Sequence, residues 1–196
     1  MNSTSCDTPE EGSRQAWRQL LLERREAFVA GPAFIEAVRS LTRHLSNVLA
    51  QLEPASLGMY WPHRSEFNAV KALADAPVMT SAVIALPFAQ RTPIQMHYRE
   101  WNRQPPTTVD ECRIPSSTGA PIVPEVVLVP CVGFTAAGLR LGYGSGYFDR
   151  WMAKHPGVTA VGVAWGVAEL TEDALRAEAH DQLLTLVVTE DGVRGG

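Results

Sequence analysis

Between Gly138 and Arg150 the chain reads Gly-Leu-Arg-Leu-Gly-Tyr-Gly-Ser-Gly-Tyr-Phe-Asp-Arg. Gly142, Gly144 and Gly146 fall at alternate positions, which frees the backbone for positive φ and removes side chains that would hold an anion off the amide N–H groups. Upstream, Val126-Val127-Leu128-Val129-Pro130 is an apolar run of buried-strand character. Tyr147 and Phe148 open a stretch that reads as a helix through Lys154, broken by Pro156-Gly157. A strand, a glycine loop and a helix N-terminus in that order make an anion site. Arg140 places a cation just before the loop, and Asp149 places a hard oxygen ligand suited to magnesium just after it. The pattern is neither the P-loop nor the dinucleotide fingerprint. From the glycines alone, a turn without a ligand and a phosphate cradle both fit.

At 196 residues the chain suits one domain with a good core. A formal charge of −4 gives no electrostatic footprint for nucleic acid, so local basic clusters point to something smaller, such as phosphate groups. No apolar run reaches the length of a membrane span. Met1 to Gly12 is polar and acidic, unlike a signal peptide, and reads as a disordered leader to a single domain over 13–196. Cys6, Cys112 and Cys131 are odd in number and lack metal-site spacing, which favours a reducing cytoplasm.

Ser13 is the expected N-cap of a helix from Arg14, whose apolar face is Trp17, Leu20, Leu21 and Phe28. Arg14 and Arg18 project from one side of it, as a solvated basic face or as ligand contacts. Pro32 to Leu52 is a second helix. Strands are expected over 57–61, closed by Pro62, over 80–87, ended by Pro87, and over 94–101, with a short helix at 68–74. Residues 105–124 read as a long loop, followed by strands at 126–130, 159–165 and 184–190 and a turn at Gly192. Glu66 alone is an ordinary loop carboxylate, Trp61 serves equally as core or as ligand wall, and His97 is a strand residue facing solvent. Helices that alternate with strands, several of them wholly apolar, give an α/β fold of three layers (α/β/α) around a largely parallel or mixed sheet.

Residues 138–150 resemble, almost residue for residue, the signature of the 5-formyltetrahydrofolate cyclo-ligases, also called methenyltetrahydrofolate synthetases, with Phe148 for the second tyrosine. The likeness runs from Arg14 to Gly192. Arg14 and Arg18 match a Lys-x-x-x-Arg pair that contacts the nucleotide, and arginine for lysine changes a point charge into a fork. Glu66 and Trp61 match the folate-binding segment, a carboxylate being able to accept two hydrogen bonds from the pterin edge. The resemblance implies that ATP is bound by Arg14, Arg18, Arg140 and the segment Leu141, Gly142, Tyr143, Gly144, Ser145, Gly146, Tyr147 and Phe148. Tyr143 to Tyr147 would flank the folate as well, Arg140 and Tyr147 would act in catalysis, and Asp149 and Asp181 would hold Mg2+. The chain departs from the family at Cys112, at Ser116-Ser117, at Thr135 where an aspartate is usual, and at Ala168 where a glutamine is usual.

The reaction implied is cyclisation of 5-formyltetrahydrofolate to 5,10-methenyltetrahydrofolate with ATP converted to ADP and phosphate. The partners implied are two small molecules, reduced folate and ATP, without nucleic acid or membrane, for a monomer or weak homodimer. Two other readings stand beside it. One is a divergent relative that binds ATP or a folate-like ligand without turnover; the other is a nucleotide-binding regulator that keeps the glycine loop and has no use for Glu66.

Overall fold

The computed structural model describes residues 13–195, so the expected leader lies outside the described residues. The first described element is α1 (Arg14–Val29), where Ser13 Oγ accepts from the Ala16 N–H at 3.3 Å and so satisfies one of the helix's free donors. Trp17, Leu21 and Arg25 form its buried stripe. In α2 (Phe34–Leu52) the stripe is Ala37, Leu41, Leu45, Val48 and Leu49, and the helix stops where Glu53 turns left-handed before Pro54. Then come β1 (Ser56–Gly58), the short helices α3 (Ala69–Ala72) and α4 (Val78–Ser81), and the hairpin β2 (Val83–Arg91) with β3 (Ile94–Glu100). The region expected as one long loop carries the short strands β4 (Thr108–Val109), β5 (Pro115–Ser116) and β6 (Pro121–Ile122). Beyond it lie β7 (Val126–Pro130), β8 (Gly133–Thr135), β9 (Arg140–Leu141), α5 (Tyr147–Lys154), β10 (Thr159–Val163), β11 (Glu169–Leu170), β12 (Leu186–Thr189) and β13 (Gly192–Arg194).

The main sheet has eight strands in the order β13-β12-β10-β7-β1-β2-β3-β6. Its centre, from β2 through β1, β7 and β10 to β12, is parallel, and β3, β6 and β13 join antiparallel at the two edges. Successive side chains of a strand point to opposite faces, and here both faces are covered. Val126, Leu128, Val161, Val163 and Val188 face the layer of α2 and α3, while Val127, Val129, Ala160 and Val187 face Trp151 and Met152 of α5. Burial on both sides is why these strands are continuously apolar and why three layers result. A separate three-stranded sheet, β11-β8-β9, lies under α1, whose Trp17 and Leu21 pack with Val132, Leu139 and Leu141.

Two expectations are corrected. The strand over 80–87 begins later and continues through Pro87, because Val78–Ser81 is helical. Val83 N–H donates to Ala55 and Ala85 carbonyl accepts from Met59, so these alternate residues face β1. Pro87 shares that direction but lies past the end of β1, where its missing N–H breaks no ladder bond; its carbonyl accepts from Ser116 Oγ at 2.7 Å. The strand over 57–61 is also shorter, leaving Tyr60 and Trp61 outside the sheet and against the site described next.

Candidate functional site

A cavity of about 580 Å³ opens beyond the carboxyl ends of β1 and β7, where ligands of open parallel sheets bind. Its walls bring together Arg14 and Arg18 of α1, Trp61 and Glu66 of the segment after β1, Arg140, the 142–146 loop, Tyr147, Phe148 and Asp149 of α5, and Asp181. Of the residues expected to form the site, Leu141 is the exception. Its side chain is fully buried under α1, because neighbours on a strand point to opposite faces and Arg140 takes the cavity side. Leu141 carbonyl accepts from Val132 N–H at 2.9 Å, so its role is to hold β9 in place.

The loop owes its shape to glycine for two different reasons. Gly144 has φ +103° and Gly146 φ +62°, where other residues are strained. Gly142 lacks a positive φ; there a Cβ would stand 2.5 Å from Arg140 Nη1, so the residue is small because the guanidinium passes against it. Arg18 Nε donates to Gly142 carbonyl at 2.8 Å and pins the loop to α1. Gly146 caps α5 with no side-chain bond to the first turn, and the helix start at Gly146, Tyr147 and Phe148 lines the cavity, so its free N–H groups suit an anion there.

The charges are arranged in pairs. Arg140, 5% exposed, donates from Nη2 to Asp149 Oδ2 at 2.7 Å, while its buried Nε has no partner among the described residues. Arg14 donates through Nη1 to Asp181 Oδ1 at 3.2 Å, through Nη2 to Oδ2, and meets Glu178 at 3.1 Å. Burial pushes against the Asp181 carboxylate, but these bonds from Arg14 and one from Glu178 N–H outweigh it and hold its pKa below the usual range. At the opposite end, burial lifts the Glu66 carboxyl, opposed by the His63 N–H at 2.8 Å, by Arg25 and by the Tyr143 hydroxyl. Burial and a bond from the Cys112 thiol at 3.4 Å push the Tyr147 phenol to about 12, so it stays a donor at neutral pH.

The expected metal carboxylates, Asp149 and Asp181, both face the cavity, each already engaged by an arginine. Among the described residues no group of three His, Cys, Asp or Glu is placed to hold a metal ion. This donor set suits a hydrated cation that comes with phosphates and takes one or two carboxylates, the usual habit of magnesium.

The departures from the family pattern sort by position. Cys112 lines the cavity. Ser116 and Ser117 instead bond the backbone of Pro87 and Glu100 and brace the β2–β3 hairpin. Thr135 and Ala168 are buried away from the cavity.

Sequence reasoning missed Arg25 and Asp110. Asp110, 6% exposed, accepts from the N–H groups of Cys112, Ile114 and Ala89 at 2.8, 2.9 and 3.2 Å, and so folds the 110–114 segment over the site. Nothing local in the sequence announces such a contact. Arg25 could have been found, since it continues the apolar stripe of Trp17 and Leu21 at four-residue spacing.

No helix among the described residues is long and apolar enough to cross a membrane. The chain is 28% identical over 193 residues to a 5-formyltetrahydrofolate cyclo-ligase of Mycolicibacterium smegmatis, a match covering 90% of this chain and 93% of that protein. It is 27% identical over 124 residues to the cyclo-ligase of the same name from Haemophilus influenzae, covering 59% and 65%. Two solved structures share its fold. A 5,10-methenyltetrahydrofolate synthetase from Mycoplasma pneumoniae superposes with TM-score 0.71 at 17% identity, over 91% of this chain and 99% of that one. The synthetase of Aquifex aeolicus gives TM-score 0.72 at 23% identity, over 93% and 92%. Residues 10–190 match the family model as well, so the chain belongs to the 5-formyltetrahydrofolate cyclo-ligase family of ATP-dependent ligases.

Proposed function

We propose that this chain converts 5-formyltetrahydrofolate to 5,10-methenyltetrahydrofolate, with ATP converted to ADP and phosphate. The observation that carries the reading is one cavity with two unlike ends: a glycine loop ringed by Arg14, Arg18 and Arg140, and a half-buried carboxylate, Glu66, beside Trp61. The first end suits a triphosphate and the second the amino and amide edge of a pterin.

A formamide oxygen is a poor leaving group. In the proposed sequence that oxygen attacks the γ-phosphorus, an O–P bond forms, and the bond from phosphorus to the ADP oxygen breaks. N10 then attacks the formyl carbon, the C–O bond breaks, phosphate departs, and N10 loses its proton to solvent. The protein's work is positioning and charge stabilisation. Arg14, Arg18 and Arg140 hold phosphate oxygens, the loop amides and the α5 N-terminus take the charge that develops, and the neutral Tyr147 phenol donates toward the reacting oxygen. Asp149 and Asp181 would hold magnesium, which when bound to the triphosphate neutralises phosphate charge. Glu66 fixes the pterin so that the formyl group meets the loop.

Purified protein supplied with ATP, magnesium and 5-formyltetrahydrofolate is expected to develop the methenyl chromophore with equimolar ADP. Protein that binds ATP yet gives no chromophore at any folate concentration would be a divergent relative, and the proposal fails. Glu66→Gln is expected to raise the folate KM by about 10- to 100-fold, the loss of a charge-assisted bond of about 1.5–3 kcal/mol, with kcat changed far less. An unaltered KM would remove Glu66 from the folate end.

A further inference from the structure

Arg25 is 2% exposed, and its Nη1 is buried without a hydrogen-bond partner among the described residues. A buried guanidinium whose hydrogen bonds go to two neutral hydroxyls costs desolvation that those bonds offset only in part, so stability alone is a poor account of it. Its remaining donors go to two different segments that build the cavity wall. Nε donates to Ser65 Oγ at 3.0 Å, next to Glu66 in the chain, and Nη2 donates to Tyr143 Oη at 2.7 Å, in the middle of the glycine loop. The Tyr143 hydroxyl, having accepted from Arg25, lies close enough to the Glu66 carboxyl to favour its ionised form. The indole N–H of the buried Trp165 donates to Ser65 carbonyl at 3.0 Å and holds the same segment from below. His63 stacks edge-on to Tyr143 with ring centroids 5.6 Å apart. Tyr143 is 41% exposed, and its side chain is held by the Arg25 bond to its hydroxyl and by the ring contact with His63.

We infer that Arg25 is a positioning residue that couples the two ends of the cavity, so that ordering the glycine loop around a triphosphate also sets Tyr143 and Glu66 for the pterin. The inference rests on the function proposed above. Arg25 touches neither ligand and acts through Tyr143 and Ser65. Arg25 bonds both Ser65, the neighbour of Glu66, and Tyr143 of the loop, so a displacement of either segment is felt by the other. A ligand that rigidifies the loop lowers the ordering cost met by the second ligand, which is positive coupling between sites.

The test is a calorimetric titration of 5-formyltetrahydrofolate into the full chain, with and without a non-hydrolysable ATP analogue and magnesium. In the parent protein the analogue is expected to tighten folate binding by about 5-fold or more, the lower range of such couplings. Arg25→Met and, independently, Tyr143→Phe should bring that factor to near one. Tyr143→Phe leaves α1 untouched and keeps the test valid if the first variant folds poorly. Arg25→Lys, which keeps the charge but loses the fork, should restore less than half of the coupling on a logarithmic scale.

A second readout is pH. The groups facing the Glu66 carboxyl are Arg25 from α1, Tyr143 from the loop, the buried Cys131 thiol after β7, and Tyr60 and the His63 N–H from its own segment. Arg25 favours the ionised form, so in Arg25→Met the carboxylate takes its proton at higher pH, and the acid-side loss of folate affinity moves upward. Equal coupling and an unmoved pH profile in folded Arg25→Met and Tyr143→Phe overturn the role of Arg25 and leave the function standing. If the parent protein binds neither ligand, the functional reading and this inference fall together.

Discussion

Arg140→Ala is expected to lower stability by about 3–5 kcal/mol and to weaken ATP binding by about 10- to 100-fold. Both losses come from one side chain. Arg140 and Asp149 are 5% and 8% exposed and bonded at 2.7 Å, so truncating the arginine strands a carboxylate in the protein interior. The remaining bond to that carboxylate, from Gln182 N–H to Oδ1, is 3.5 Å long and too weak to compensate. Urea unfolding measures the first loss and calorimetry with ATP and magnesium the second. The two separate in the double variant Arg140→Ala/Asp149→Ala, where no buried charge is left without its partner. That protein should regain most of the stability while binding ATP no better than the single mutant. Equal ATP affinity in Arg140→Ala and the parent would remove Arg140 from the triphosphate site.

Gly144→Val is expected to abolish turnover, by at least about 100-fold, for a loss of only about 1–3 kcal/mol in folding stability. The residue sits at φ +103°, a conformation that a β-branched side chain almost never adopts. Its Cβ would stand 3.5 Å from the Arg18 guanidinium carbon, over the bond by which Arg18 holds Gly142. The loop must therefore change its path, and the amides that face the cavity are lost. Around it the fold persists, because Leu139 and Leu141 are packed under α1 before the loop begins. Steady-state kinetics and a thermal melt on the same preparation check the pair of effects. Full activity would show that the loop carries no part of the reaction, and a protein that fails to fold would show that Gly144 is a structural residue.

The parts of the fold that proved legible are those whose cause is local. Ser13 caps α1, the 3.6-residue stripe fixes α2, and a glycine loop between Val126–Pro130 and Tyr147–Lys154 places β7 and α5 with their observed boundaries. What stayed hidden depends on partners far along the chain. Pro87 reads as a strand end, and becomes a strand interior only because β1 has already stopped beside it. Arg140 and Asp149 read as two independent ligands nine residues apart, and become a pair once α5 folds back on β9. Leu141 is an instructive case of the opposite kind. Two-residue alternation on β9 would have turned it away from the cavity as soon as Arg140 was assigned to it. Arg25 offered a signal of the same sort, a cation on an apolar stripe.

The pairing of Arg14 with Asp181 and of Arg140 with Asp149 bears on which anions the protein will ignore. Each guanidinium already has a carboxylate beside it, which offsets part of its charge toward an incoming phosphate. A solitary inorganic anion would draw on an arginine whose charge an aspartate already shares, and would gain less than at an unpaired guanidinium. On the proposed function, a triphosphate accompanied by its counter-cation would supply both signs at once, a positive partner for the aspartates and a negative one for the arginines. On that same function, the four charges would act as two closed latches that favour cation-loaded nucleotide over an anion arriving alone, before any contact with the base or the folate.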